Sequence, residues 1–278
     1  MSIFDEAKID CHNHIFDPAR FPYRADAVYR PGGQEIGTAE QFKLVMATYG
    51  VRHALLVGPT SGYRADNRCM LDAIAHGGGR FKGIAVVDHA ITLAELAELK
   101  AGGVVGVALN VAMEGVASLD DADALFGMLA ELDLFAQIQV QEDELPALVG
   151  LIERSRARIM IDHCGRPNVA NGLSQPGFQA LLRLATLGRV TVKLSGLQKF
   201  SSGAYPYQDA QVYAGALLDA FGPDACIWGS DWPFLRAPER LDYGPLLKLA
   251  ELLLPDADVR RRVLWDTPMR LFQFDAVA

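Results

Sequence analysis

Apolar and polar positions follow two alternating patterns along this chain. Short runs rich in β-branched and aliphatic residues predict strands, and they are separated by longer segments in which Leu, Ala and Met recur at helical spacing. The predicted strands cover residues 8–16, 52–59, 81–88, 104–111, 134–141, 158–164, 190–196 and 226–233. The predicted helices cover residues 38–49, 66–77, 92–101, 119–132, 142–154, 175–187 and 207–221, with further C-terminal helices in 243–278.

Alternation of strands and helices predicts parallel strands joined by crossover helices. Eight such units without a break in composition favour an α/β fold of the closed (β/α)₈ TIM-barrel type, formed as a single domain over residues 1–278. An open doubly wound sheet is the alternative. That fold normally has a glycine-rich phosphate loop after its first strand, and the segment after the first strand here has none.

A long connection rich in Pro and Gly follows the first predicted strand, at residues 17–37. The loops that follow barrel strands lie on the face where barrel enzymes carry out their chemistry. Because long loops in compact domains are often functional, this segment is predicted to be a lid over that face.

The composition narrows the classes of partner. The 278 residues carry a net charge of −8 and no dense run of Lys or Arg, which disfavours nucleic acid and anionic membranes and leaves a small-molecule substrate. No stretch is apolar enough to span a bilayer, and the N-terminus shows no apolar leader. The four cysteines have no CxxC spacing, so we expect reduced thiols in a cytoplasmic protein. We also expect a monomer or a homodimer.

Polar side chains interrupt the apolar pattern at the predicted carboxyl ends of three strands. His12 and His14 lie two positions apart on the first strand and therefore face the same side, and Asp10 shares that parity one step deeper in the barrel. His163 ends the sixth strand and Asp231 ends the eighth. Because the carboxyl ends of barrel strands form the active face, we expect the three histidines and Asp231 to form the catalytic centre.

Three motifs carry a family resemblance. DCHNH on the first strand, IDHCGRP at the end of the sixth and WGSDWP at the eighth resemble the amidohydrolase superfamily over nearly the whole chain. The resemblance is strongest to its amidohydrolase-2 branch, which includes lactonases of pyrone dicarboxylates and of sugar acids. It implies a hydrolase that opens a lactone ring. It also implies that Asp231 is the general base that activates water, while the three histidines either polarise the carbonyl group or ligate a metal.

The requirement for a metal is open at this point. Metal-dependent members of the superfamily commonly add a Lys or His on the fourth or fifth strand, and neither predicted strand has one here. We therefore expect hydrolysis without a cofactor, and a single divalent zinc ion on His12, His14 and Asp231 is the alternative. If it binds zinc in this way, the protein would be a metal-dependent hydrolase or decarboxylase of a small carboxylated substrate. A third alternative is a barrel that binds a small molecule without catalysis.

The expected substrate contacts follow from the same resemblance. The family's anion-binding arginine after the sixth strand is retained as Arg166, whereas the arginines of the fourth strand that bind another carboxylate are absent. This favours a sugar-acid lactone or a related small carboxylated lactone. The expected substrate-binding residues are Arg166, Gln139, Asn110, Lys199 and Trp232. Each of four has an alternative role: Asn110 also fits a strand-end cap, and Lys199 a solvated loop charge. Trp232 fits equally well a residue that packs loops against the barrel rim, and Arg166 also fits an ion pair with an acidic loop residue.

Overall fold

Eight parallel strands pair in sequence order to form a barrel, which confirms the predicted fold class. The structure is a computed structural model that describes residues 2–237 and 239–275. The strands are β1 (Lys8–Asn13), β2 (Val51–Val57), β3 (Phe81–Ala85), β4 (Val104–Asn110), β5 (Phe135–Gln139), β6 (Arg158–Ile161), β7 (Val190–Lys193) and β8 (Cys226–Ile227). The ring closes where the backbone N of Cys11 donates to the carbonyl of Trp228 at 3.0 Å.

Helices cover the outside of the barrel, and several of them begin at a residue whose side chain caps the first turn. They are α1 (Ala39–Thr48), α2 (Arg68–Ala75), α3 (Leu93–Ala101), α4 (Val111–Glu114), α5 (Asp123–Glu131), α6 (Leu145–Arg154), α7 (Pro176–Leu184), α8 (Gln208–Phe221), α9 (Tyr243–Leu253), α10 (Ala257–Arg261) and α11 (Thr267–Phe272), with a π-helical turn at Arg262–Asp266. Thr38 and Thr92 form capping boxes at the starts of α1 and α3. Residues 276–278 of the predicted C-terminal helices lie outside the described residues. No helix in the described ranges is long and apolar enough to cross a membrane.

The C-terminal helix closes the amino end of the barrel. Leu271 and Phe272 of α11, together with Phe274, pack against barrel-interior residues such as Ile9 and Phe135. With its amino end closed in this way, the barrel opens at the carboxyl ends of the strands. The candidate chemistry is therefore confined to one end of the barrel.

A bulge in β1 sets the direction of its side chains. Asp10 pairs with Ala54 and Asn13 pairs with Leu56, so β1 has one more residue than β2 between these two pairs. Asp10 consequently points to the helix layer, where its carboxylate accepts a hydrogen bond from the hydroxyl of Tyr243 in α9 at 2.9 Å. The prediction that Asp10 shares the inward face of the histidines is wrong, because the extra residue reverses the alternation between them.

Candidate active site

A cavity of about 550 Å³ opens at the carboxyl ends of the barrel strands. Its wall is built from the ends of β1, β4 and β5 and from the loops that follow β2, β6, β7 and β8. The predicted site residues that line this cavity are His12, His14, Asn110, Gln139, His163, Arg166, Lys199 and Asp231. Active sites of TIM barrels lie at this end, so the cavity is the candidate active site.

The carboxylate of Asp231 lies at the centre of the three histidines. Its Oδ1 is 3.5 Å from Nε2 of both His12 and His14. The same oxygen is 3.8 Å from Nε2 of His163. On the other side, Nζ of Lys199 is 2.8 Å from Oδ2. The structure thus brings the predicted imidazoles and carboxylate together, and Lys199 is an ion-pair partner of Asp231 rather than a solvated loop charge.

Burial and charge set the protonation states of this centre. Burial alone raises the pKa of Asp231, but the Lys199 ammonium and the neighbouring imidazoles outweigh it and hold that pKa well below its usual range. Burial and the nearby ammonium of Lys193 lower the pKa of His12 to about 4. Burial also lowers the pKa of His163 well below its usual value. Near neutral pH, Asp231 is therefore ionised while His12 and His163 are uncharged.

Irregular backbone after β6 turns His163 into the cavity. Within the strand, Ile159 and Ile161 pack against the helix layer, whereas Met160 lies in the barrel interior. β6 ends at Ile161, and His163 then takes a left-handed conformation with a φ of 49°. Gly196 makes room for the imidazole, because a Cβ at that position would lie 2.6 Å from Nδ1 of His163.

Gly229 brings the chain after β8 close to the first strand. A Cβ at this position would lie 2.5 Å from Cβ of His12 and 2.6 Å from its backbone N. Without that atom the two segments meet, and the backbone N of Asp231 donates a hydrogen bond to the carbonyl of His12 at 2.7 Å. The glycine thereby fixes the distance between the carboxylate of Asp231 and the imidazole of His12.

A buried ion pair adjoins His12. Nζ of Lys193, at the end of β7, is 3.0 Å from Oδ1 of Asp162 and 3.1 Å from Nδ1 of His12. The side chain of Gln137 joins both partners, accepting from Lys193 at 2.7 Å and donating to Oδ2 of Asp162 at 2.9 Å. Sequence reasoning missed Lys193 and Asp162. The available signal was a charged residue in a short apolar strand pattern, since a buried charge requires a partner.

Three of the expected substrate-binding residues present polar groups at the cavity wall. Among the residues that the structure describes, Nε of Arg166 and Oδ1 of Asn110 are buried without a hydrogen-bond partner. Nδ2 of Asn110 donates to Oγ1 of Thr60 at 3.4 Å. Gln139 ends β5 and lines the cavity in a half-buried position. These side chains leave donors and acceptors available to a polar ligand.

Trp232 lies away from the cavity, which corrects its predicted role as a substrate contact. Its ring stacks on Phe42 of α1 with the ring centroids 4.9 Å apart, and it also lies against Gly37. Asp231 takes a left-handed φ of 63°, and the chain after it places the indole of Trp232 against α1 while the carboxylate of Asp231 faces the cavity. Trp232 is therefore a packing residue between the barrel and α1.

The segment 17–37 is anchored at the rim of the cavity. Backbone hydrogen bonds join Arg24 N to Gly62 O at 3.0 Å and Gly62 N to Tyr29 O at 2.9 Å. Oε1 of Glu35 accepts from the backbone N of Arg236, in the loop after β8, at 2.7 Å. Within residues 2–237 and 239–275, the cavity wall contains no side chain from 17–37. Closure of this segment over a ligand stays a prediction.

Two groups of side chains offer metal-type donors. His12, His14 and Asp231 form one group, and His12, Asp162 and His163 form the other, with the donor atoms of each group within 4.8 Å of one another. Imidazole and carboxylate are ligands that zinc accepts. The site therefore contains donors of the right chemical type for a divalent ion.

Comparisons with known proteins define the family. The amidohydrolase family model matches residues 9–274. The chain is 35% identical over 271 residues to a 4-sulfomuconolactone hydrolase of Rhizobium radiobacter, covering 95% of this chain and 89% of that protein. It is 28% identical over 277 residues to a 2-pyrone-4,6-dicarboxylate hydrolase of Comamonas testosteroni, and the match covers 95% of this chain and 89% of that protein.

A solved structure extends the comparison to the whole barrel. It is a probable 2-pyrone-4,6-dicarboxylic acid hydrolase of Acinetobacter baumannii with citric acid bound. It matches with a TM-score of 0.88 at 28% identity, covering 96% of this chain and 99% of that one. The fold and the named relatives are those of barrel hydrolases. The chain belongs to the amidohydrolase family, as its motifs predict.

Proposed function

We propose that the protein is a hydrolase that opens a small lactone by adding water to the ester carbonyl. The observation that carries this proposal is the ionised carboxylate of Asp231, held among three imidazoles in a cavity large enough for a small ring. The relatives support it, because their names describe hydrolysis of a muconolactone and of a pyrone, both of which are cyclic esters.

Asp231 acts as the general base in the proposed reaction. Its carboxylate takes a proton from a water molecule while the water oxygen bonds to the carbonyl carbon of the lactone. The carbonyl π electrons move to the carbonyl oxygen, which gives a tetrahedral oxyanion. A positioned general base contributes about 10²- to 10⁴-fold to such a step.

The imidazoles stabilise the oxyanion, and the same proton then completes the reaction. His12 and His163 are uncharged near neutral pH and can donate N–H groups to the negative oxygen. Collapse of the intermediate breaks the bond between the carbonyl carbon and the ring oxygen. Protonated Asp231 returns its proton to that oxygen. The product is a hydroxy acid, which ionises near neutral pH and releases one proton.

The cavity wall favours a lactone with an anionic substituent. Arg166 supplies a guanidinium group, which forms charge-assisted hydrogen bonds with carboxylates. Gln139 and Asn110 provide amide groups for hydroxyl or carbonyl oxygens of the substrate. Because Lys199 both lines the cavity and pairs with Asp231, we expect it to contact the substrate beside the reacting carbonyl. A sugar-acid lactone or a related small carboxylated lactone meets these requirements.

The proposed reaction requires no metal. His12, His14 and Asp231 are zinc-type donors, but Lys199 lies 2.8 Å from the carboxylate and Lys193 lies 3.1 Å from His12. A dication on the same donors would be repelled by both ammonium groups, so the residues present fit an ion poorly. A metal-dependent hydrolase or decarboxylase with a single zinc ion is the competing function.

The remaining properties follow from the surface and the thiols. All four cysteines are buried and unpaired, which suits the reducing cytoplasm that we propose as the site of action. The partner we propose is the small-molecule substrate alone, and the protein acts as a monomer or a homodimer. Size-exclusion chromatography with light scattering distinguishes these two states.

The test is a pH-indicator assay of acid release over sugar-acid lactones, carboxylated pyrones, muconolactones and uncharged lactones. We expect hydrolysis of one carboxylated class. Arg166→Met should lower kcat/KM for that class by about 10- to 100-fold, because a hydrogen bond to a charged group contributes about 1.5–3 kcal/mol. Uncharged lactones are the matched control and should lose little. No acid release from any lactone would contradict the proposal, and ring conversion without acid release would indicate an isomerase.

A further inference from the structure

The ammonium of Lys193 has three partners in the barrel interior, with hydrogen-bond contacts to Gln137 and His12 and an ion pair with Asp162. The side chain is fully buried, with 0% of its surface exposed. Its Nζ is 2.7 Å from Oε1 of Gln137, 3.0 Å from Oδ1 of Asp162 and 3.1 Å from Nδ1 of His12. The proposed mechanism leaves this group without a role, although it touches one of the catalytic imidazoles directly.

An ammonium has three N–H donors and no lone pair, so each of its partners must accept. Nδ1 of His12 must therefore present a lone pair, because a proton there would point at another N–H group. The proton of the uncharged ring then lies on Nε2, the nitrogen that faces Asp231 at 3.5 Å. We propose that Lys193 is a positioning residue that fixes His12 in the tautomer with its proton on Nε2.

His14 shows the opposite arrangement on the same strand. Its Nδ1 is 2.8 Å from the backbone carbonyl of Val57. A carbonyl oxygen only accepts, so the proton of an uncharged His14 lies on Nδ1 and Nε2 carries the lone pair. Both histidines thus face Asp231 with Nε2, which carries the proton in His12 and the lone pair in uncharged His14.

This tautomer defines what His12 can do. A protonated Nε2 can donate to an oxyanion, as the proposed lactone hydrolysis requires, and the inference rests on that function only for this catalytic consequence. The same nitrogen has no lone pair to offer a metal ion. Lys193 therefore selects hydrogen-bond donation over metal ligation at His12.

Removal of the ammonium should reverse the tautomer. Oδ1 of Asp162 is 3.4 Å from Nδ1 of His12 and would accept a hydrogen bond from a protonated Nδ1 if Lys193 were absent. Lys193→Met is therefore expected to move the His12 proton from Nε2 to Nδ1. Gln137→Met is the matched control, since it removes hydrogen bonds from the same buried cluster but leaves the ammonium in place.

The experiment is two-bond ¹H–¹⁵N correlation NMR of histidine-labelled full-length protein near pH 7.5, without substrate. His12 signals are assigned by their loss in His12→Gln, and His14 is an internal reference for the Nδ1–H form. We expect Nε2–H for His12 in the wild type and in Gln137→Met, and Nδ1–H in Lys193→Met. Nδ1–H in the wild type, or Nε2–H retained in Lys193→Met, would overturn the proposal.

Two further arms separate the possible failures. Lys193→Met leaves the carboxylate of Asp162 buried without its cation, which can prevent folding. The double variant Asp162→Asn/Lys193→Met removes this unpaired charge and is measured as well. If neither variant folds, the His12 tautomer of the wild type decides the question. With the lactone that the wild type hydrolyses, Lys193→Met should lose about 10²- to 10³-fold in kcat, as for removal of one oxyanion donor. Absence of lactonase activity in the wild type would refute the proposed function, while the tautomer result would stand independently.

Discussion

Replacement of Gly229 by alanine tests whether the spacing between Asp231 and His12 controls catalysis. The added Cβ would lie 2.5 Å from Cβ of His12 and 2.6 Å from its backbone N, whereas an ordinary contact begins at 3.4 Å. The two segments must separate by about 0.9 Å, and the neighbouring atoms include backbone that cannot rotate away. Overpacking of this kind costs about 1–3 kcal/mol of unfolding free energy.

The loss of activity should exceed the loss of stability. A displacement of about 1 Å at a catalytic group can cost about 10²-fold, so we expect that decrease in kcat/KM for the best lactone. Urea unfolding measures stability on the same sample. Gly127→Ala in α5 is the control, because its Cβ would meet nothing within 4 Å, and the helix should gain about 0.5–1 kcal/mol. Wild-type kcat/KM in Gly229→Ala would refute the spacing argument.

Two other predictions concern charge at the centre. The ammonium of Lys199 holds the pKa of Asp231 down against burial, so Lys199→Met should raise that pKa, and the fall of kcat/KM on acidification should begin at a higher pH than in the wild type. Superimposable profiles between pH 3 and 8 would argue against this ion pair. Dialysis against EDTA should leave kcat unchanged, because the proposed steps use only side chains and water. A loss of activity that zinc restores would instead support the metal-dependent alternative.

The order of elements could be read from the chain, but the ends of the strands could not. The predicted strand at 226–233 is only Cys226–Ile227 in the structure. The following residues still hydrogen-bond to the first strand, from Asp231 N to His12 O and from His14 N to Trp232 O, but the φ of 63° at Asp231 makes this pairing irregular. Two tryptophans flank Gly229, Ser230 and Asp231 in this stretch, and the pattern of apolar and polar residues does not reveal the change in backbone direction. Burial of one face gives a long strand or helix a periodic hydrophobic pattern that can be recognised in the sequence. The residue at which a strand ends depends instead on the local turn that follows it.

The grouping of His12, His14, His163 and Asp231 at one cavity could be predicted because their residue types and strand positions are specific, but their other partners depend on folding. The one-residue bulge in β1 has no recognisable signal in the sequence, and yet it directs Asp10 away from the histidines. Lys199 reaches Asp231 from a different loop, and Lys193 reaches His12 across the barrel. Such contacts between distant segments are set by barrel closure and carry no local signal in the chain.

The most direct test of the account is the rate of lactone hydrolysis by Asp231→Asn. Asparagine keeps the shape of the side chain but cannot accept the proton of the attacking water. With the carboxylated lactone that the wild type hydrolyses fastest, kcat should fall by about 10²- to 10⁴-fold while the urea midpoint shows that the variant is folded. Hydrolysis by the folded variant at a rate close to that of the wild type would contradict the role of Asp231 as the general base.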